Sequence, residues 1–169
     1  MPIGNLRIRA QVLRAIRSFF DERDFIEVET PLAVPSPGLD VHLAALEVLG
    51  FRGRRWLGTS PELQMKRLLA AGLPRIYQIC RCFRRGEIGA HHEPEFTMLE
   101  WYRAEAGAAE VMHDTEALVA HVCETVRGTT DLPSGTSVAL PWRRLGIEAA
   151  FRRFAGVEVV DVLPDEERF

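Results

Sequence analysis

The sequence has no apolar run of membrane-spanning length, no signal-peptide pattern and no C-x-x-C pair. Read as a sequence, these absences exclude a helical membrane anchor and a zinc site built on paired cysteines, and they predict a cytoplasmic protein. The three cysteines are Cys80, Cys82 and Cys123. The first two are one residue apart, too close for an ordinary bridge, so all three are expected to be buried thiols in a reducing compartment. Lysine occurs once, at Lys66, and the other twenty basic residues are arginine. Net basic charge is also missing: the formal charge is -3, so no global character points to nucleic acid. There is no internal repeat and no low-complexity segment.

What remains is ordinary globular composition, 47% hydrophobic and 27% charged over 169 residues, which suggests a single domain with a sizeable core. The charge is unevenly spread. Between Arg52 and Arg85 there are nine basic residues against one acid, Glu62, whereas from Ala104 onward there are twelve acids and six bases. A basic concentration inside an acidic chain suggests a focused anion site.

Periodicity divides the chain into elements. "NLRIRAQVLRAIRSFFDERDF" predicts a helix capped by Asn5, with Leu6, Val12, Leu13, Ile16, Phe19 and Phe20 on one stripe. "FIEVETP" predicts a short strand ending at Pro31, and "AVPSPGLD" a loop. "VHLAALEVLGF" and "RRWLGTS" predict two strands. "SPELQMKRLLAAG" predicts a helix with Pro61 at its first position, Glu62 in its first turn and Gly72 past its end. "RIYQICRCFR" and "EFTMLEWYRA" predict a hairpin joined by "RGEIGAHHEP". "AAEVMHDTEALVAHVCETVRG" predicts an amphipathic helix stopped by Gly128, with Val111, Thr115, Leu118, Val119, Val122 and Val126 as its stripe. "PWRRLGIEAAFRRFAG" predicts another helix, and Val157 to Phe169 is weakly specified. The order predicts an α+β fold, an antiparallel β-sheet flanked by helices packed on one side.

The hairpin carries the chemistry. Strand side chains alternate faces, so Gln78, Cys80, Cys82 and Arg84 share one face of the first strand. Phe96, Met98, Glu100 and Tyr102 share one face of the second. With both sets on one side of the sheet, that surface offers a cation, a flat ring and a carboxylate in a row, the set a nucleotide and a neighbouring amine require. The loop adds Arg85, Glu87, His91 and His92, which can close over phosphates. His91 and His92 are adjacent on an extended stretch and point in opposite directions, so the pair is not read as a metal site.

The motifs themselves resemble those of class II aminoacyl-tRNA synthetases of the lysine type. "CFRR" followed by "HHEPEFTMLEWY" resembles motif 2, "FDERDFIEVETP" resembles motif 1, and "TSPELQMKRLLAAG" resembles the amino-acid-binding segment between them. The phrases "TSPELQMKRLL" and "PEFTMLEWYR" are most similar to the short paralogue that attaches lysine or β-lysine to a lysine of elongation factor P. The resemblance covers roughly Leu6 to Ala104. It implies a class II catalytic core represented by motifs 1 and 2 only. Residues 1–169 would then be one apparently truncated catalytic domain, without an anticodon-binding domain and without the C-terminal motif 3. It implies ATP and Mg2+ as cofactors and a homodimer paired through motif 1.

By the same resemblance, Arg84 is the catalytic arginine on the α-phosphate and Phe96 stacks on adenine. His92 approaches the outer phosphates. Glu62 receives the substrate α-amino group, and Ser60, Glu100 and Tyr102 fall at other substrate-pocket positions. Gly86 stands where the family places a glutamate, and Glu87 is the expected substitute in the ATP site. Glu93 replaces an asparagine. No metal-ligating residue is assigned. The implied reaction is ATP-dependent activation of lysine or β-lysine and transfer to elongation factor P. The alternatives are a lysine–tRNA ligase catalytic fragment acting on tRNA-Lys and a non-catalytic synthetase-like binding module. In every case the 169 residues alone are expected not to catalyse adenylation.

Overall fold

The computed structural model describes residues 3–38 and 40–162. Its first element is a helix, α1 (Ile3–Asp21), whose C-terminal end buries Ala15, Phe19 and Phe20. Asn5 lies inside this helix and so does not cap it, and Leu6, expected on the buried stripe, is 50% exposed. The chain then turns through Asp24, which has φ of 58°, into β1 (Ile26–Glu27).

Three short strands follow: β2 (Ala33–Val34), β3 (Glu47–Val48) and β4 (Arg55–Leu57). They form a small antiparallel sheet in the order β2-β4-β3. Ala33 and Val34 thus belong to a strand where the prolines predicted only loop. Helix α2 (Glu62–Ala70) comes next, with Pro61 one position before it. The Pro61 carbonyl accepts from the backbone N–H groups of Gln64 and Met65, both at 3.0 Å. Helix ends shift by a residue in this way without changing the packing.

The central hairpin is β5 (Arg75–Phe83) and β6 (Glu95–Arg103), antiparallel with nine residue pairs in continuous register. β1 joins the other flank of β5 and runs parallel to it, pairing Ile26 with Ile76 and Glu27 with Tyr77. The main sheet is therefore mixed, order β1-β5-β6, where an antiparallel sheet was expected. The direction of β1 follows from α1, which returns the chain to the sheet beside the start of β5. Among the described residues β6 pairs only with β5, so its other flank is unpaired.

Helix α3 (Ala108–Arg127) packs against α1 and ends at Gly128, whose φ of 73° is the left-handed conformation that glycine adopts without penalty. The core joins Phe19, Phe20, Phe25, Tyr77 and Leu118, with Ile79, Leu99 and Trp101 packed against it. Phe20 stacks on Tyr77 with ring centres 4.5 Å apart. Residues 77, 79, 99 and 101 are the other parity of the hairpin, so one face builds the core and the opposite face is left for chemistry. Helices lie on both faces, because α2 contacts β5 and β6 while its Leu63 and Gln64 line a cavity with Cys80 and Cys82.

Ion pairs pin the elements. Arg17 grips both oxygens of Glu27 at 2.9 and 3.0 Å, and the Tyr77 hydroxyl donates to the same carboxylate at 3.1 Å. Arg103, at the end of β6, holds the buried Asp114 of α3 at 2.9 and 3.0 Å. The last helices are α4 (Ile147–Phe154) and α5 (Val159–Val162). The predicted helix from Pro141 begins only at Ile147. Glu116 of α3 is the reason: its buried carboxylate accepts from the Trp142 backbone N–H at 3.1 Å and from Arg144 at 3.0 Å, holding residues 141–146 out of helix. Residues 163–169, the end of the weakly specified tail, lie outside the described residues. No described helix is long and apolar enough to cross a membrane.

Candidate adenylate-forming site

The register pairs Cys82 with Phe96, Cys80 with Met98, Gln78 with Glu100 and Ile76 with Tyr102. The expected face is therefore assembled. Arg84, just past β5, keeps the hairpin closed by donating its backbone N–H to Pro94 at 2.9 Å. Its guanidinium carbon lies 5.0 Å from the centre of the Phe96 ring, a cation–π stack. The guanidinium also reaches the Thr59 carbonyl at 3.4 Å and the Glu87 carboxylate at 3.6 Å. Its side chain is only one-quarter exposed, so the charge is partly desolvated and its contacts are strengthened.

The loop departs from the family pattern at one place that the backbone explains. Gly86 has φ of 82°, a conformation a glutamate adopts only with strain. The carboxylate has moved one residue along, to Glu87, where it pairs with Arg84. Arg85 anchors the loop to the small sheet, donating its backbone N–H to Ala44 at 2.7 Å. His91 and His92 are exposed in the turn. Among the described residues the His92 ring makes no hydrogen bond or ion pair, so the structure does not bring it to Arg84 or Phe96.

The second cluster lies at the far end of the face. The Ser60 hydroxyl accepts from the Glu62 backbone N–H at 3.1 Å and donates to Glu100 at 2.8 Å. The Tyr102 hydroxyl donates to the other oxygen of Glu100 at 2.7 Å. The Tyr102 hydroxyl is pushed well above its ordinary range by burial, then by this hydrogen bond and by the charges of Glu100 and Glu62. Both carboxylates therefore bear on one point. Glu62 itself is half-exposed and pairs with Lys66 one turn along α2. Phe96 and Glu100 are four residues apart on one strand, which sets the two clusters about 13 Å apart.

Sequence reasoning missed two supporting residues. Thr59 is 2% exposed, and its carbonyl accepts from Arg84 while its hydroxyl donates to Pro37 at 3.0 Å. Gln78 is buried opposite Glu100 and accepts from Thr30 at 3.0 Å. Parity placed Gln78 on this face, but nothing in the sequence pairs it with Thr30. Cys80, expected buried, is only half-buried, whereas Cys82 and Cys123 are buried. Among the described residues no group of three or more His, Cys, Asp or Glu gathers to hold a metal, and Glu87 and Glu100 already have partners. These residues do not fit a magnesium site.

A cation stacked on an aromatic ring at one end of a hairpin face, with a carboxylate cluster at the other, is the layout of a synthetase-type site. Residues 3–169 match the family of tRNA synthetases class II (D, K and N), and the chain belongs to that family. It is 39% identical to a lysine–tRNA ligase of Clostridium novyi over 94% of this chain and 32% of that protein. It is 44% and 45% identical to elongation factor P–(R)-β-lysine ligases of Mannheimia succiniciproducens and Edwardsiella ictaluri, each over 73% of this chain and 40% of the relative. The chain thus spans about one-third to two-fifths of the length of these relatives.

Proposed function

We propose that this chain carries the ATP- and lysine-binding part of an adenylate-forming ligase that activates lysine or β-lysine and passes it to a lysine of elongation factor P. The observation that carries the reading is the pairing, on one hairpin face, of the Arg84–Phe96 stack with the Ser60–Glu100–Tyr102 cluster. In the first step the substrate carboxylate oxygen attacks the α-phosphorus of ATP and pyrophosphate leaves. Little covalent help is required of the protein beyond positioning and a cation where charge accumulates. Arg84 suits the α-phosphate because its fork stays charged and grips two oxygens. Phe96 offers its ring to the base. Glu62 and Glu100 receive the ammonium groups of the substrate by charge-assisted hydrogen bonds, with Ser60 and Tyr102 fixing Glu100. In the second step the acceptor amine attacks the acyl carbon and AMP leaves. Binding of ATP turns Glu87 away from Arg84, freeing it for the exocyclic amine of adenine, and His92 closes on the outer phosphates. No step of this reading passes through a metal.

The higher identity to the elongation factor P ligases supports the protein acceptor. A second reading, transfer to tRNA-Lys, draws on the longer span matched by the lysine–tRNA ligase, 94% of the chain against 73%. A third is a binding module without turnover. Calorimetry with a non-hydrolysable lysyl-adenylate analogue tests the shared core of the first two, and titration with elongation factor P or tRNA-Lys separates them. Absence of analogue binding at millimolar concentration would sink the proposal, while analogue binding without pyrophosphate exchange in any longer form would leave the third. The protein is further proposed to pair as a homodimer through β1, an edge strand whose Ile26 is 48% exposed. Light scattering that shows only monomer at micromolar concentration removes that part.

A further inference from the structure

We propose that Cys80, Cys82 and Met98 form a binding site for a soft monovalent cation, copper(I). Cys80 and Cys82 share a face because they are two apart on β5, and the register sets Met98 of β6 directly opposite Cys80. The Cys80 and Cys82 sulfurs are 3.9 Å apart, and the Cys82 and Met98 sulfurs are also 3.9 Å apart. A metal–sulfur bond of about 2.3 Å puts ligand sulfurs about 3.8–4.0 Å from one another in tetrahedral or trigonal geometry. The three sulfurs therefore already stand at ligand spacing. A disulfide, by contrast, requires about 2.05 Å between sulfurs.

The donor set chooses the ion. Two thiols and a thioether are soft ligands, which select copper(I). Hard cations require oxygen donors, and structural zinc requires four thiolate or imidazole ligands. No histidine, aspartate or glutamate joins the two cysteines as a third metal-binding partner among the described residues. The surroundings fit a bare ion. A cavity of about 10 Å³ is lined by both cysteines together with Pro31, Pro37, Ser60 and Leu63. That is on the order of one water molecule's space, room for an ion and not for an organic ligand. Two thiolates and one copper(I) carry a net negative charge, and Arg84 follows Cys82 on the same face to balance it. The inference does not depend on the nucleotide reading, since none of the three sulfurs is used in it.

The test is a copper(I) titration of the 169-residue chain without oxygen, in competition with the chromogenic chelator bicinchoninate. One equivalent of copper should leave the chelator per chain. X-ray absorption at the copper edge should show only sulfur neighbours, at about 2.3 Å. Cys80→Ser and Cys82→Ser should each weaken binding at least ~100-fold, and Met98→Leu about 10-fold, the scale of losing one ligand-orienting contact or more. Cys123→Ser, on α3, should leave affinity unchanged. If Cys82→Ser fails to fold by circular dichroism, Cys80→Ser and the volume-conserving Met98→Leu carry the decision with the absorption data on the unaltered chain. A chain that takes no copper from the chelator, variants that bind as tightly as the parent, or a nitrogen and oxygen shell each overturn the assignment.

Discussion

Arg84 stacks on Phe96 with its guanidinium carbon 5.0 Å from the ring centre, and the same guanidinium is held by the Thr59 carbonyl and Glu87. The cation is thus aimed before any ligand arrives, with its apolar face against the ring and its donors free to fork. Arg84→Ala should weaken binding of the lysyl-adenylate analogue about 10- to 100-fold, the scale of one hydrogen bond to a charged group. Arg84→Lys should recover little, because a single ammonium neither stacks nor forks. Calorimetry on the three proteins decides; equal affinities would remove Arg84 from the site.

Glu62→Gln separates substrate binding from helix stability. The Glu62–Lys66 pair is an exposed i,i+4 contact, worth about 0.3–0.5 kcal/mol. The variant should therefore unfold within about 0.5 kcal/mol of the parent while losing roughly tenfold in affinity for the analogue. An early-melting variant with normal affinity would show that Glu62 serves α2 alone.

Arg103→Ala should cost about 3 kcal/mol in urea unfolding, because it leaves the Asp114 carboxylate buried and unpaired beneath α3. The double change Arg103→Ala with Asp114→Ala should recover part of that loss. No recovery would mean that Arg103 stabilises by packing its stem, not by its charge.

Acid should loosen the fold through two carboxylates. The bidentate hydrogen bond from Arg17 holds Glu27 below its ordinary 4.5, with Tyr77 assisting. The Trp142 backbone N–H does the same for Glu116, helped by Arg144 and His113. A depressed native pKa contributes stability that is present above the unfolded value and lost as pH falls through the folded one. The urea midpoint should be flat from pH 7 to about 5 and fall below pH 4.5. Glu27→Gln should flatten part of that fall and lower the midpoint at pH 7. A variant with the parent's acid slope would clear Glu27 of this role.

Much of the site was legible because β5 and β6 obey a strict period of two. Once Arg84 and Phe96 were placed, alternation fixed which of their neighbours shared the face, and the register agrees at every pair. The stop of α3 at Gly128 was legible for a local reason too, a left-handed residue. What escaped was set by distant partners. The direction of β1 depends on where α1 delivers the chain. Residues 141–146 have helical composition, yet a carboxylate 26 residues earlier, Glu116, captures the Trp142 N–H that a helix would need. The retreat of Glu87 onto Arg84 depends on the backbone sign at Gly86, which residue identity suggests but does not dictate.

The unpaired flank of β6 makes the site hostage to its neighbours. Phe96, Glu100 and Tyr102 ride on the strand whose outer backbone groups have no partner among the described residues. Any polypeptide that zips onto that flank takes its register from the same nine residues and stiffens them together. Amide hydrogens from Glu95 to Arg103 that point outward should then exchange freely in the lone chain and slow by orders of magnitude once the flank is taken. Sheet growth and readiness for chemistry would become one event, so a stray copy of the chain laid along β6 is as much an inhibitor as an aggregate.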